Sequence, residues 1–245
     1  MNNPKRKSVS PVYSMCVQPA FIIGTNNADG SANFAPITWI SVTHEEGDGY
    51  LLVVSMFGTK TTRKNVMRTG IFSANLVSVD MLPLMDYFGS RHARDGKKDE
   101  IPYAVSRGEA LDVPVLEASR WVYECEVTRT VQTGDSATFF CAIRNIQMDE
   151  RFQCADPFDV DLTVLDPVIY SGRYHSLGKM LGKIGDFMNI THDQYMEQKR
   201  QMEETQSRAA VYAHLAQAAD DVKLGRVQPA QEALEEIMWE QRTEL

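Results

Sequence analysis

The chain has 245 residues, of which 43% are apolar and 24% are charged, and its formal net charge is −8. This is the composition of a globular protein that is long enough for one large domain with an appendage. The acidic balance disfavours non-specific binding to nucleic acids or anionic membranes, since both need excess cations. The short basic run "PKRK" near the start is expected to be a solvated tail.

The sequence contains no run of eighteen apolar residues and no apolar stretch at its start of the kind found in signal peptides. We therefore expect no membrane segment and a cytoplasmic location. The four cysteines are Cys16, Cys125, Cys141 and Cys154, and no two of them form a Cys-x-x-Cys pair. Buried free thiols are the preferred interpretation over disulfides or a zinc site.

Three antiparallel strands are predicted between Pro19 and Phe57. The apolar run "PAFIIGT" leads through the turn residues "NNADGS" into a second strand, "ANFAPITWISVT". The loop "HEEGDG" then precedes "YLLVVSMF", which is apolar enough to be buried on both faces. Pro36 cannot donate a hydrogen bond to a neighbouring strand, so it should lie at a sheet edge or a bulge.

Short helices alternate with strands in the next part of the chain. A helix is predicted from Thr61 to Thr69, because Gly70 stands where a left-handed residue usually ends a helix. "IFSANLVSV" returns to a strand and "DMLPLMDYFG" predicts a second short helix, which a polar loop follows.

The last part of the main domain is again predicted as strands. "RWVYECEVTRTVQTGDSATFFCAIRNIQM" alternates around "TGDS" and predicts a long hairpin, and "DPVIYSGRYHSLG" predicts a final strand. A sheet of this kind usually closes into a barrel or sandwich, because open edges are a liability. The acidic stretch "DPFDVDLTVLDP" lacks the spacing and central glycine of a calcium loop, so no metal site is predicted.

After about residue 190 the composition changes to helix-forming residues between charges. Two or three helices are predicted there, with a break near "GRVQP". The predicted organisation is a mainly antiparallel β domain over residues 1–187 and a C-terminal α-helical extension over residues 188–245. The apolar residues of the extension's amphipathic pattern include Met188, Tyr195, Leu215, Leu234 and Trp239.

The segment "GTKTTRKN" lies between a buried strand and a helix. The first turn of a helix presents backbone N–H groups without intrahelical partners and favours an anion. Thr59, Thr61 and Thr62 add hydroxyl donors, and Lys60 and Arg63 add positive charge. The segment matches neither a nucleoside triphosphate loop nor a dinucleotide fingerprint, so a phosphate monoester is the better candidate. The alternative is simple N-capping by threonine with solvent-facing cations.

Several short motifs together resemble the flavin reductase-like family of FMN-binding split barrels, which includes flavoredoxins and reductase partners of two-component monooxygenases. They are "NFAPIT", "KTTRKN", "TGIFSANL", "MDYFGSRHARDGKKDEI" and "DPVIYSGRYHSLG", which together span about residues 12 to 185. The resemblance implies an antiparallel Greek-key split barrel, a homodimer, and FMN bound near the dimer interface. The sequence departs from the family pattern at Thr61, where relatives often carry Asp, and in the loop "HEEGDG".

Carried over residue by residue, the resemblance places the Thr38 hydroxyl near the flavin and assigns phosphate contacts to Lys60 and Thr62. It also matches Asn65 to the helix asparagine of the family and Lys98 to a lysine that ends a motif. The predicted cofactor-binding residues are Asn33, Ala35, Pro36, Ile37, Thr38, Trp39, Ile40, Ser41, Thr59, Lys60, Thr61, Thr62, Asn65, Lys98 and Tyr174.

Three aromatic or imidazole side chains are candidates for contact with the flavin. Trp39 could pack against the flavin or fill the barrel, and Tyr174 could stack on the ring. His175 could touch the flavin or a nicotinamide, or it could be an ordinary polar contact. His175 and Tyr174 are the candidates for residues near the reacting atoms, and no catalytic residue is assigned with certainty.

The leading functional hypothesis is an FMN-binding oxidoreductase that transfers hydride from NADH or NADPH to flavin. In such an enzyme the cofactor carries the chemistry and the protein supplies binding and orientation. The alternatives are a flavoredoxin-type electron carrier and a non-catalytic FMN-binding module with a partner-docking tail. Expected partners are a second copy of the chain, flavin and nicotinamide, and a monooxygenase or electron-transfer protein.

Overall fold

The computed structural model describes residues 8, 17–45, 49–90, 101–150, 160–182 and 191–223. The chain divides into two compact units, residues 1–180 and 181–245. In the second unit the described structure is one long helix. Within the described parts of the chain, no helix is long and apolar enough to cross a membrane.

The first unit is built mainly from antiparallel strands with a few short helices. Its strands are β1 (Gln18–Pro19), β2 (Phe21–Asn26), β3 (Ala32–Ile37), β4 (Ile40–His44), β5 (Tyr50–Phe57), β6 (Ile71–Leu76), β7 (Val105–Arg107), β8 (Pro114–Leu116), β9 (Trp121–Thr133), β10 (Ser136–Met148), β11 (Val168–Tyr170) and β12 (Tyr174–Ser176). Its helices are α1 (Thr61–Thr69), α2 (Leu82–Ser90), which follows a 3-10 turn, and α3 (Leu162–Leu165); the second unit contains α4 (His192–Lys223).

The main sheet has seven strands in the order β3-β2-β6-β9-β10-β5-β4. Its two edge strands, β3 and β4, are joined only by Thr38 and Trp39. Seven strands laid flat would span about 29 Å, whereas a two-residue link reaches at most about 11 Å between the flanking Cα atoms. The sheet must therefore curve back on itself, which gives it the shape of a barrel and brings its two edge strands close together.

Strand β2 separates two hydrophobic cores, because successive side chains of a strand point to opposite faces. Phe21 and Ile23 pack in the barrel interior with Phe72, Phe139 and other residues of the main sheet. Ile22 faces a second core that includes α2. This division explains why "PAFIIGT" is apolar at nearly every position.

The predicted fold class is confirmed: the first unit is a mainly antiparallel split barrel with short helices, and a helix follows in the C-terminal part. Helix α1 covers the predicted residues, and Gly70 follows it with a left-handed φ of 73°. The hairpin around "TGDS" is formed by β9 and β10. Pro36 lies on β3, an edge strand of the main sheet.

Two predicted strands are each divided in the structure, and one further strand pair is present. "ANFAPITWISVT" is two strands, since β3 pairs with β2 while β4 pairs with β5 on the opposite edge. "DPVIYSGRYHSLG" is also two strands, because Gly172, with a φ of 84°, allows a tight turn between β11 and β12. The small pair β7 and β8 was not predicted.

The C-terminal helices were predicted as two or three, and α4 is one continuous helix as far as it is described. Tyr195 and Leu215 are exposed on it. The predicted break and the other apolar positions (Met188, Leu234 and Trp239) lie outside the described residues, so the boundary at residue 187 stays a prediction. Cys125 and Cys141 are buried free thiols, as predicted, while Cys16 and Cys154 are outside the described residues.

Candidate functional site

The start of α1 presents backbone donors without a side-chain cap. After β5 ends, Gly58 adopts a left-handed φ of 69° and the chain turns into the helix. Lys60 is the N-cap residue, with extended backbone and no side-chain capping hydrogen bond. The alternative that a threonine caps this helix is therefore wrong. The helix itself offers no partner to the N–H groups of Thr61, Thr62 and Arg63, which leaves a positive helix end.

The inner face of α1 is fixed by a buried polar network. Asn33 donates from Nδ2 to Oγ1 of both Thr62 (2.9 Å) and Thr25 (3.1 Å). Asn65 donates from Nδ2 to Thr25 Oγ1 (3.1 Å) and to Asn27 Oδ1 (2.9 Å). Thr25, Asn33, Thr62 and Asn65 are all at most 5% exposed. The network joins the helix to the β2–β3 hairpin.

Because Thr62 Oγ1 accepts a hydrogen bond from Asn33, its own O–H remains a donor. Two predicted ligands, Asn33 and Asn65, are thus bonded to the protein, and their hydrogen bonds hold the helix start in place. Sequence reasoning did not find Thr25 and Asn27. Asn27 was treated only as turn chemistry, and no local pattern marks the strand residue Thr25.

Arg63 is not a solvent-facing cation. Its guanidinium donates to the carbonyl oxygens of Gly58 (2.7 Å) and Asp135 (3.0 Å) and to Gln132 Oε1 (2.9 Å). Gly58 N–H also donates to the Asp135 carbonyl oxygen at 3.0 Å. These bonds hold the turn before α1 against the β9–β10 turn, so the cationic segment is rigidly placed.

An aromatic pair lies beside the N-cap. The Lys60 Nζ atom is 4.5 Å from the centroid of the Phe57 ring, and the Phe57 and Trp39 ring centroids are 6.0 Å apart. Trp39 is 36% exposed and Phe57 is 49% exposed. Trp39 therefore does not fill the barrel, and that interpretation is wrong. Instead it forms, with Phe57, a partly exposed apolar surface next to a cation. Phe57 was not among the predicted site residues.

The other predicted site residues on and near β3, β4 and α1 differ in how deeply they are buried. Ile37 and Ile40 pack in the barrel core, whereas Ser41 is exposed. Ala35, Pro36 and Thr38 are half-buried, as is Thr61 on α1, and Thr59 is exposed. Lys98 lies outside the described residues.

Tyr174 and His175 lie on β12, in a separate three-stranded sheet with β1 and β11. The Tyr174 hydroxyl donates to Asp86 Oδ1 on α2 at 3.0 Å, and its ring is 5.7 Å from that of Tyr170. Burial and the bond to Asp86 raise the pKa of Tyr174 to about 12, so it remains protonated at neutral pH. His175 is exposed. The described contacts of Tyr174 are thus with α2 and β11, and none brings it to α1.

These observations define a class of protein: an antiparallel split barrel in which a cationic helix start lies beside two partly exposed aromatic rings. The family model "Flavin reductase like domain" matches residues 13–178. The chain therefore belongs to the flavin reductase-like family. A comparison with curated protein sequences finds no match.

Solved structures with the same fold include the following three proteins. Flavoredoxin of Desulfovibrio vulgaris (Miyazaki F) is 20% identical, with 75% of this chain and 99% of that chain covered and a TM-score of 0.67. An FMN-binding protein from Thermus thermophilus is 20% identical, with 75% and 99% covered and a TM-score of 0.58. The styrene monooxygenase flavin reductase of Pseudomonas putida S12 is 16% identical, with 69% and 96% covered and a TM-score of 0.54. At these identities the likeness concerns the fold.

Proposed function

We propose that the chain binds FMN and transfers hydride from NADH or NADPH to the flavin. The observation that carries the proposal is the start of α1, where uncapped N–H groups and the Lys60 ammonium stand beside a partly exposed aromatic pair. A phosphate monoester joined to a flat aromatic ring matches this juxtaposition of an anion-binding helix end and apolar rings. Membership of the flavin reductase-like family supports the same ligand.

The residues present fit the FMN phosphate. Lys60 supplies a charge, the Thr62 O–H remains a donor, and the N–H groups of the first helical turn lack helical partners. The buried network and Arg63 hold these groups in place before any ligand arrives, which reduces the ordering cost of binding. Thr59 and Thr61 are proposed as further hydroxyl donors to the same phosphate.

The isoalloxazine ring is proposed to lie toward the β3–β4 link. There Trp39 and Phe57 would provide apolar contact, and the Thr38 hydroxyl would be a hydrogen-bond donor. When bound, FMN supplies the acceptor for a hydride from the nicotinamide. The role of the protein is to bind both molecules and to exclude water between them, so no acid–base pair is required.

The first experiment is a titration of FMN and riboflavin into the full chain, followed by flavin fluorescence. Lys60→Ala should weaken FMN binding about tenfold or more, because a charge-assisted hydrogen bond contributes about 1.5–3 kcal/mol. Riboflavin, which lacks the phosphate, should lose no more than about twofold. Adding Thr62→Ala should widen the difference.

Arg144→Ala is the control, since Arg144 is an exposed cation on β10 whose ion pair is with Glu126. It should leave the ratio of FMN to riboflavin affinity unchanged. If the Lys60 variant lost affinity for FMN and riboflavin equally, this residue would have only a structural role. Absence of FMN binding at micromolar protein would contradict the proposal itself.

Oxidation of NADH or NADPH with added FMN then separates the reductase from its alternatives. A flavoredoxin-type carrier would bind FMN and accept electrons from a reduced protein, but would oxidise nicotinamide slowly. A non-catalytic module would bind FMN without turnover. The exposed apolar residues of α4, among them Val211, Tyr212 and Leu215, favour a docking role for the extension, which either alternative could use.

We also propose that the protein works as a homodimer and supplies reduced flavin or electrons to a second protein. The presence of monooxygenase reductase components among its structural relatives supports such a partner. Light scattering of the purified chain tests the dimer directly. A monomer at micromolar concentration would contradict it.

A further inference from the structure

The outer face of α1 borders a second cationic feature, an open groove of about 420 Å³. Its volume is within the range of small-molecule pockets, about 300–1,000 Å³. The groove is lined by Gly58, Thr59, Arg63, Lys64, Met67 and Arg68. We call it the α1 groove. It contains neither the aromatic pair nor the buried polar network.

The positive charge of the α1 groove has no carboxylate counterpart among the described residues. Helix α1 contains no Asp or Glu, and among the described residues no ion pair involves Arg63, Lys64 or Arg68. Lys60, Lys64 and Arg68 follow each other at intervals of four residues, a spacing at which like charges repel on a helix. An anion in the groove would relieve this repulsion.

Two of the cations are held in place by neutral acceptors. Arg63 is fixed by carbonyl oxygens and a glutamine, and Arg68 donates to the Asn26 carbonyl oxygen at 2.5 Å. These bonds orient the guanidinium groups without neutralising them. Lys64 is exposed, and the apolar side chain of Met67, which is 56% exposed, lies beside the cations. The lining thus combines positive charge with an apolar surface on which a purine could pack.

The two faces of α1 present different chemistry. The inner face carries the amide and hydroxyl groups of Asn65 and Thr62, which are buried, and the outer face carries the exposed side chains of Lys64 and Arg68. Gly58 and Thr59 connect the groove to the turn before Lys60, where the FMN phosphate is proposed to bind. A second phosphate-bearing ligand in the groove would therefore lie next to the flavin site.

We propose that the α1 groove binds the 2′-phosphate and adenosine part of NADPH, and that it makes NADPH the preferred hydride donor. This inference rests on the proposed function, in which the nicotinamide nucleotide is the second substrate of the enzyme. The extra phosphate, which distinguishes NADPH from NADH, would bind to Lys64 and Arg68, and the adenine would pack against Met67.

The test uses two probes that need no turnover, 2′,5′-ADP and 5′-AMP, titrated calorimetrically into the full chain. The unmodified chain should bind 2′,5′-ADP more tightly than 5′-AMP, and added salt should reduce the difference. Lys64→Gln, and more strongly Lys64→Gln with Arg68→Gln, should weaken 2′,5′-ADP binding. The expected loss is about tenfold for the double variant, which corresponds to about 1.4 kcal/mol.

Arg144→Gln is the control, since Arg144 is an exposed cation on β10 that pairs with Glu126 outside the groove. It should leave 2′,5′-ADP binding unchanged. In the FMN-loaded protein, the ratio of kcat/KM for NADPH to that for NADH should fall about tenfold in the double variant and stay constant in the control. Melting temperatures of all variants check that each is folded. If the double variant does not fold, the Lys64→Gln variant alone tests the proposal.

Weak or equal binding of the two nucleotides to the unmodified chain would overturn the proposal, as would 2′,5′-ADP binding that survives the groove substitutions. Neither nucleotide would bind if the groove instead contacts an acidic protein surface. Failure of the proposed function gives a different result: the chain would not bind FMN or oxidise either nicotinamide. The direct titration of 2′,5′-ADP would still report on the groove in that case.

Discussion

Glu124 is a fully buried carboxylate of the barrel, and its replacement is predicted to destabilise the fold. It lies on β9 with 0% exposure. Five N–H groups converge on it, three from the backbone of the loop between β7 and β8 and two from side-chain amides of β10. The donors are the N–H groups of Glu109, Ala110 and Leu111 and the amides of Asn145 and Gln147, at 2.7–2.9 Å.

The pKa of Glu124 reflects the balance between burial and these hydrogen bonds. Burial alone would raise the pKa, but the hydrogen bonds outweigh it and lower the pKa from its ordinary 4.5 to about 2. At about 1.4 kcal/mol per pKa unit, the ionised form is stabilised in the folded protein by roughly 3 kcal/mol. Glu124→Gln places an NH₂ group opposite at least two of the donors. It should therefore lower the free energy of unfolding at pH 7 by about 3 kcal/mol or more.

Urea unfolding of the full chain, followed by circular dichroism, measures this difference. Glu126→Gln is the matched control two residues further along β9, where the side chain is half exposed and pairs with Arg144. Because exposed ion pairs contribute about 0–1 kcal/mol, the free energy of unfolding of the control should fall by no more than that amount.

The pH dependence gives an independent check. A group whose pKa is depressed on folding stabilises the protein above its unfolded pKa and loses that contribution as the pH falls through its folded pKa. The stability gap between the unmodified chain and the Glu124 variant should therefore be constant above about pH 5 and shrink between about pH 4.5 and pH 2. A gap that is insensitive to pH, or a Glu124 variant as stable as the Glu126 control, would refute the reasoning.

Three further predictions concern the network at α1, the turn before α1 and the C-terminal extension. Thr25→Val removes one of the two acceptors of each buried amide, those of Asn33 and Asn65, and should destabilise the fold by about 2 kcal/mol, while Thr25→Ser should restore stability in the same urea assay. A lysine cannot reproduce the hydrogen bonds of the Arg63 guanidinium to three acceptors, so Arg63→Lys should lower the free energy of unfolding by about 2 kcal/mol. An unchanged unfolding midpoint would show that these hydrogen bonds do not contribute to stability. Truncation after Gly185 should lower the melting temperature or loosen the proposed dimer while FMN titration still reports binding, and loss of a protein partner alone would identify the extension as a docking module.

Much of the local structure could be predicted from the sequence. Helix α1 was predicted with its correct ends, since Gly70 marks its C-terminus through local backbone conformation. The β9–β10 hairpin was predicted as well, because alternation and turn residues act over a few positions. The cationic start of α1 could be predicted for the same reason, since Lys60, Arg63 and Lys64 lie close together in the sequence.

Only the tertiary structure decided where these elements go and which side chains they turn inward. The break between strands at Thr38 and Trp39 arises because β3 and β4 pair with different partners, and no residue of "ANFAPITWISVT" predicts it. Thr62 is a buried acceptor only because Asn33, 29 positions away in sequence, donates to it. Glu124 likewise needs a loop and a neighbouring strand to hold its charge. Turns and helix ends are set by contacts between near neighbours, whereas burial of a polar side chain is set by partners that the chain brings together only when the barrel closes.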